Sequence, residues 1–304
     1  MPAVSRDNTS VSETEARHPD TSGLDLMGPR QLVDVLVAAH ADVPAVVACA
    51  AAETSAAVDG AVTRLRRGGR LVFAGSGTPG RLVEADASEL FPTFGFPASR
   101  LSVVRAGGDA HRAGGPAEDR PELAAEAIAA LALTPDDVLI AVASSGSTPF
   151  TREAARCAAE RGAYVIAVAN VPEPALADHS AVTVILRTGA EPVAGSTRMR
   201  AGLAQRMWLT VFSTAVMVSL GLVFDNLMVN VVPSLDKLRS RQLQILQAAT
   251  RLSEEESRDA LAAAGGHLPQ ALVATLAGVS PHAAAEALAA GGGVRAAIER
   301  AEAR

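Results

Sequence analysis

Aromatic residues are scarce in this chain of 304 residues: one Trp, one Tyr and seven Phe. With 49% hydrophobic residues a sizeable core is still possible, but Ala, Val and Leu must fill it. Only two cysteines occur, Cys49 and Cys157. They lie far apart in segments of helical pattern and read as free buried thiols in a reducing compartment. No CxxC pair is present and the six histidines are scattered, so no metal site is expected. Basic residues are not in excess: the formal net charge is -6, which argues against a general nucleic-acid binder. The first residues, MPAVSRDNTSVSETEAR, lack an apolar core of signal-peptide length. The most apolar run, Leu209 to Phe224, is shorter than the roughly 20 residues of a membrane span and contains Ser213, Thr214 and Ser219. It reads as a helix buried in a soluble protein, and the cytoplasm is the expected compartment.

What is present is an alternation of apolar runs and helical patterns. Residues 1–22 are polar and read as a mobile tail. Gly28 to Arg67 is helical in pattern, with Leu32, Val35 and Leu36 on one face, a new start at Pro44, and a long Ala-rich helix from Val46 stopped by Gly68 and Gly69. Strands are expected at Arg70–Ala74, Leu101–Arg105, Val138–Ala143, Tyr164–Ala169 and Val182–Leu186. Helices are expected between them at Arg81–Leu90, Glu122–Ala132 and Pro149–Arg161. Strands that alternate with helices imply an α/β fold, a parallel sheet with helices on both faces. Nearly continuous apolar strands fit a sheet covered on both sides. After Gly195 the strands cease. Helices are expected at Arg198–Leu220 and Leu235–Leu252. Short Gly- and Pro-punctuated units from Ser253 then form a small helical bundle, opened by a capping box of Ser253 and Glu256. The domains expected are a tail (1–22), an α/β domain with N-terminal helices (23–240) and a C-terminal bundle (241–304).

Four polar stretches could carry chemistry. Gly75 to Gly95, GSGTPGRLVEADASELFPTFG, follows a strand with a glycine-rich turn that suits an anion, and then adds carboxylates that a phosphate cradle does not need. Ser144-Ser145-Gly146-Ser147-Thr148 follows another strand and precedes a helix that Pro149 can start; it reads either as a phosphate loop or as a helix cap. Both stretches fall at the carboxyl edge of a parallel sheet, where ligands bind. Glu118 and Asp119 end a Gly-rich loop, AGGDAHRAGGPAED, expected to be flexible, and are either site carboxylates or surface groups. GSTRMRAG, from Gly195 to Gly202, is either a polar helix start aimed at a ligand or an N-cap with its basic residues on a solvated face.

Taken together, GRLVFAGSGTPGRL, DASELFPTFG, SSGSTPF, GSTRMRAG and NLMVNV resemble the N-acetylmuramic acid 6-phosphate etherase family, from about Thr14 to the C-terminus. The resemblance implies a sugar isomerase (SIS) fold, a doubly wound five-stranded parallel sheet, ended by a ubiquitin-associated-like (UBA-like) bundle. It implies cleavage of a lactyl ether to N-acetylglucosamine 6-phosphate and D-lactate, without metal or organic cofactor, by a homodimer that binds neither nucleic acid nor membrane. By motif match Glu89 takes the position of the catalytic acid and Glu118 that of the second catalytic carboxylate, the base at C2. The loop with Ser144, Ser145, Ser147 and Thr148 would hold the 6-phosphate, and Gly77 and Thr78 would line the sugar. The chain departs from the family at Pro79 (usually Ser), Ser147 (usually Arg), Leu90-Phe91 (Cys-Pro), Arg200 (Lys) and Asn230 (Asp). Two other readings fit a phosphosugar fold: a non-catalytic sensor similar to the glucokinase regulatory protein, and an aldose–ketose isomerase. The sensor is built from two such domains where this chain has room for one, and the isomerase would not need an acid at the C3 oxygen.

Overall fold

The computed structural model describes residues 13–107, 115–231 and 236–303. Three helices, α1 (Pro29–Ala38), α2 (Val43–Cys49) and α3 (Ala51–Arg66), precede the first strand. The strands are β1 (Leu71–Gly75), β2 (Leu101–Arg105), β3 (Val138–Val142), β4 (Tyr164–Ala169) and β5 (Val182–Ile185). Helices α4 (Gly77–Phe94), α5 (Pro121–Leu131) and α6 (Pro149–Glu160) connect them. The sheet has the order β2-β1-β3-β4-β5, and β1, β3, β4 and β5 pair in parallel. Every residue of β1 and β3 is buried, which is why their sequences are unbroken apolar runs. Each such Val, Leu or Ile contributes about 1.5–3 kcal/mol on leaving water. Strand β2 sits at one edge and is only partly covered.

The order reverses between β1 and β3. The chain leaves β1 toward β2 and returns to β3 on the other side, so the carboxyl ends of these two neighbours diverge into separate loops. A crevice at that switch point is where this architecture binds ligands. Register brings Gly75 level with Val142, so the segments that follow both strands emerge side by side.

At the opposite end of the same strand pair, Asp137 ties β1 to β3. It is 2% exposed and accepts from the backbone N–H of Arg70 at 2.8 Å, the Arg70 Nη2 at 2.7 Å and the backbone N–H of Thr134 at 2.8 Å. Burial alone would raise its pKa. The Arg70 and Thr134 donors outweigh burial and bring it to about 2.

The chain divides into two units, residues 1–85 with 102–210, and residues 86–101 with 211–304. The boundaries fall inside α4, at the first residue of β2 and inside α7 (Arg200–Ser219). The second unit therefore takes in more than the bundle expected from residue 241. Its helices are α8 (Asp236–Thr250), α9 (Glu254–Ala263), α10 (Leu268–Ala277), α11 (Pro281–Ala289) and α12 (Gly293–Glu302). They bury Leu246, Leu268, Leu272, Val294 and Ala297 around one core. The capping box forms as expected, with Ser253 Oγ accepting from the Glu256 N–H and Glu256 accepting from the Ser253 N–H.

Several expectations need correction. Part of the stretch read as a mobile tail is built into the fold: Thr14 is 1% exposed, and Thr21 Oγ1 donates to the Pro192 carbonyl at 2.8 Å. Residues 1–12 lie outside the described residues, as do 108–114 of the Gly-rich loop. The single long helix from Val46 is broken at Ala50 into α2 and α3. Cys157 is buried, but Cys49 is exposed. A second apolar segment is Pro29–Cys49: an 18-residue window within it has a mean hydropathy of 1.8 and, by length and composition, the segment would pass for a membrane-crossing helix. It carries Arg30, Asp34 and Asp42, and the structure divides it into α1 and α2.

Candidate active site

A cavity of about 370 Å³ opens at the switch point, within the first unit. Its walls come from three places: Ser76 to Pro79 and Arg81 after β1, Ser144, Ser145 and Thr148 after β3, and Glu118 beyond β2. Thr14, Glu15, Gly195 and Thr197 complete it. That size and polar lining suit a phosphorylated sugar.

Gly77 is the first residue of α4, with φ +57°. A side chain there would be strained by the backbone, and a Cβ would stand 2.9 Å from Glu118 Oε1. The absent side chain is what lets the carboxylate lie against the first turn of α4. What the sequence suggested as a loop before the helix, Gly77-Thr78-Pro79, is the first turn itself. Pro79 is tolerated there because first-turn N–H groups have no partner within the helix. Burial raises the Glu118 pKa and the neighbouring Asp119 carboxylate adds to it, while Arg81 works in the opposite direction. Arg81 also donates to Thr78 Oγ1 at 3.0 Å. Ser76 Oγ is buried and has no hydrogen-bond partner among the described residues.

The second loop is pinned from behind. Gly146 (φ +64°) donates to the Ala143 carbonyl and accepts from the Leu176 N–H. A Cβ at Gly146 would fall 2.1 Å from the Pro174 Cβ. Ser145 Oγ accepts from the Ser147 N–H and hydroxyl, at 3.2 and 2.9 Å. Thr148 precedes α6 without capping it by its side chain, which leaves the helix N-terminus open to an anion.

Of the residues singled out in the sequence, the cavity brings together Glu118, Gly77, Thr78, Ser144, Ser145 and Thr148. Ser147 is exposed and bonded to Ser145, and is not among the lining residues. Glu89 is exposed on the part of α4 that belongs to the second unit. Ser76, Arg81 and Thr197 lie in stretches marked as candidates without being named as site residues, whereas Thr14 and Glu15 lie outside all of them. The Thr14 carbonyl accepts from the Gly195 N–H at 3.1 Å, and Glu15 Oε2 lies 2.7 Å from where a Gly195 Cβ would be. The family likeness beginning at Thr14 was the available signal. In GSTRMRAG, Thr197 lines the cavity, but Arg200 is not on a solvated face. It is 8% exposed and donates to the Ala39 carbonyl and to Asp42. The fully buried Glu191 accepts from the first N–H groups of α7, Arg200 and Ala201, at 2.7 and 2.9 Å. Among the described residues, no group of three or more His, Cys, Asp or Glu side chains is placed to hold a metal ion.

Residues 38–170 match the SIS domain family. Phosphoheptose isomerase from Francisella tularensis shares the fold at a TM-score of 0.50 and 18% identity, covering 63% of this chain and 100% of that one. Fold and cavity define the chain as a SIS-type α/β protein with a polar crevice at the β1/β3 switch point. The curated relatives narrow this. The N-acetylmuramic acid 6-phosphate etherase of Rubrobacter xylanophilus is 43% identical over 290 residues, 94% of this chain and 95% of that one. That of Deinococcus radiodurans is 40% identical over 287 residues, 94% of each. The chain belongs to the N-acetylmuramic acid 6-phosphate etherase family.

Proposed function

We propose that this protein cleaves the lactyl ether of N-acetylmuramic acid 6-phosphate, giving N-acetylglucosamine 6-phosphate and D-lactate. The observation that carries the reading is a half-buried carboxylate of raised pKa, Glu118, held against the first turn of α4 in a cavity rimmed with hydroxyls. The high identity to etherases over nearly the whole chain supports it.

The chemistry follows from the weakness of both partners. An ether oxygen leaves poorly, and an ordinary C–H is a poor acid. In the open-chain sugar the C1 aldehyde acidifies the C2 proton. Glu118 takes that proton, the C2 electron pair forms the C2–C3 double bond, and the C3–O bond to the lactyl group breaks. The protonation of the departing oxygen is assigned to Glu89 by its DASE motif alone, since Glu89 does not line this cavity. Water then adds at C3 and a proton returns to C2. A base works best with a pKa near the working pH, and burial moves Glu118 in that direction. Ser144, Ser145 and Thr148, with the open start of α6, take the 6-phosphate, and Gly77 and Thr78 flank the sugar.

The working form in this proposal is a cytoplasmic homodimer. Its support is apolar surface without cover: α1 buries no residue, Val33 and Val37 on it are 58% and 66% exposed, and Leu203, Val211 and Val218 are exposed along α7. A second copy laid on these helices would remove that surface from water. Incubation of the purified protein with N-acetylmuramic acid 6-phosphate and assay of D-lactate tests the function. Glu118→Gln and Glu89→Gln should each lower release by about 10²–10⁴-fold without unfolding the protein. Absence of lactate from the wild type would refute the reading.

A further inference from the structure

Behind the phosphate loop, two buried amide side chains with no part in the proposed reaction continue inward from Ser144. Asn170 Nδ2 donates to the Leu186 carbonyl at 2.8 Å. Gln205 Nε2 donates to Asn170 Oδ1 at 2.8 Å and to Ser144 Oγ at 2.9 Å. Asn170 and Gln205 are fully buried and Ser144 is 7% exposed.

We propose that Gln205 is a positioning residue that fixes the Ser144 hydroxyl as a proton donor into the cavity, so that the loop accepts a fully deprotonated phosphate. The inference rests on the reading of the cavity as a phosphosugar site.

The polarity of the chain is set at its far end. A backbone carbonyl can only accept, so Asn170 must turn its amide nitrogen to Leu186 and its oxygen to Gln205. Gln205 must then turn its nitrogen to that oxygen. An amide nitrogen carries two hydrogens, and the second points at Ser144 Oγ. Ser144 therefore accepts from behind, and its own hydrogen is left for the cavity, whose wall it forms. Flipping any one amide would set oxygen against oxygen or nitrogen against nitrogen. The arrangement has a cost: Gln205 Oε1 is buried without a hydrogen-bond partner among the described residues. A core selected for stability alone would satisfy that oxygen or replace Gln205 by an apolar residue. The orphaned oxygen is the mark of an amide held for the direction of its N–H groups.

A fixed donor favours the dianion, all three of whose terminal oxygens accept, over the monoanion, which has one oxygen protonated and about half the charge. The second pKa of a phosphate monoester is near 6, so the preference operates at neutral pH.

The test is a double-mutant cycle on binding of inorganic phosphate, measured by titration calorimetry, with the substrate KM and kcat alongside. Gln205→Leu should weaken phosphate binding roughly ten- to a hundred-fold, the range for a misdirected charge-assisted hydrogen bond. Ser144→Ala should do the same, and the double variant should be no weaker than Ser144→Ala alone. In turnover the loss should fall on KM rather than kcat. Gln205→Glu, of the same shape, turns an acceptor toward Ser144 and should weaken phosphate binding at least as much. Phosphate affinity unchanged in Gln205→Leu or Gln205→Glu, or losses that add in the double variant, would overturn the proposal. A wild type that does not bind phosphate would overturn it together with the phosphosugar reading. The expected cycle with no lactate release would overturn the etherase reading alone.

Discussion

Replacing Gly77 by Ala would probe the contact on which the site depends. The added Cβ would stand 2.9 Å from Glu118 Oε1, where ordinary contact begins at 3.4 Å. The carboxylate must therefore retreat by about half an ångström. Misplacing a reacting group by about 1 Å costs on the order of 10²-fold in rate, so about a ten-fold fall in kcat/KM is expected. The backbone adds a penalty: φ is +57°, and a residue with a Cβ loses about 1–2 kcal/mol of stability there. The pH profile carries the sharper signature. Glu118 must be ionised to take a proton, so kcat/KM rises as pH climbs through its raised pKa. A carboxylate pushed toward water is less desolvated, so this acid limb should move to lower pH in Gly77→Ala. The sign is opposite for stability. The folded protein favours the protonated carboxyl, so the contribution of Glu118 is full below the ordinary carboxyl pKa and lost as pH rises through the raised one. Steady-state kinetics across pH, with melting curves to confirm folding, decide the matter. Full kcat/KM with an unmoved acid limb would refute the placement of Glu118 against α4.

Two further perturbations test the frame around the site. Asp137→Ala removes the carboxylate that pairs with the partly exposed Arg70 guanidinium, which keeps its bond to the Ala132 carbonyl, and leaves the Thr134 N–H without its acceptor, and should cost about 1.5–3 kcal/mol in denaturant unfolding. Because the Asp137 pKa is lowered to about 2, the stability it confers should be complete above the ordinary Asp pKa of about 4 and disappear as pH falls toward 2. Val37→Glu places a charge on the exposed face of α1 and should abolish the proposed homodimer in sedimentation; a variant of the same mass as the wild type would remove α1 from the proposed interface.

The parts of this architecture that were legible in the sequence are those that local chemistry decides. Strands β2 and β4 fall on the expected residues because continuous apolar runs, bounded by turns, leave little choice. The Ser253 capping box is local as well. The start of α4 was not legible. Gly and Pro are punctuation in most contexts, and only the positive φ of Gly77 and the partnerless first turn admit them to a helix. Thr14 and Glu15 were hidden by polar composition, since their contact with Gly195 spans most of the chain. Gln205 lies in a helical run whose pattern shows burial but not what a buried amide faces. Arg200 looked like solvated surface for the converse reason. Its partners, Ala39 and Asp42, come from a different segment of the chain.

In the proposed mechanism Glu118 removes the C2 proton in an elimination that is completed by hydration. Turnover of N-acetylmuramic acid 6-phosphate in D₂O, followed by mass spectrometry and NMR of the sugar product, tests it most directly. The wild-type protein should place one solvent deuterium at C2 of N-acetylglucosamine 6-phosphate, and a folded Glu118→Gln variant should lose exchange and D-lactate release together, by about 10²–10⁴-fold. D-lactate released with the original hydrogen still at C2, or undiminished exchange in Glu118→Gln, would contradict it.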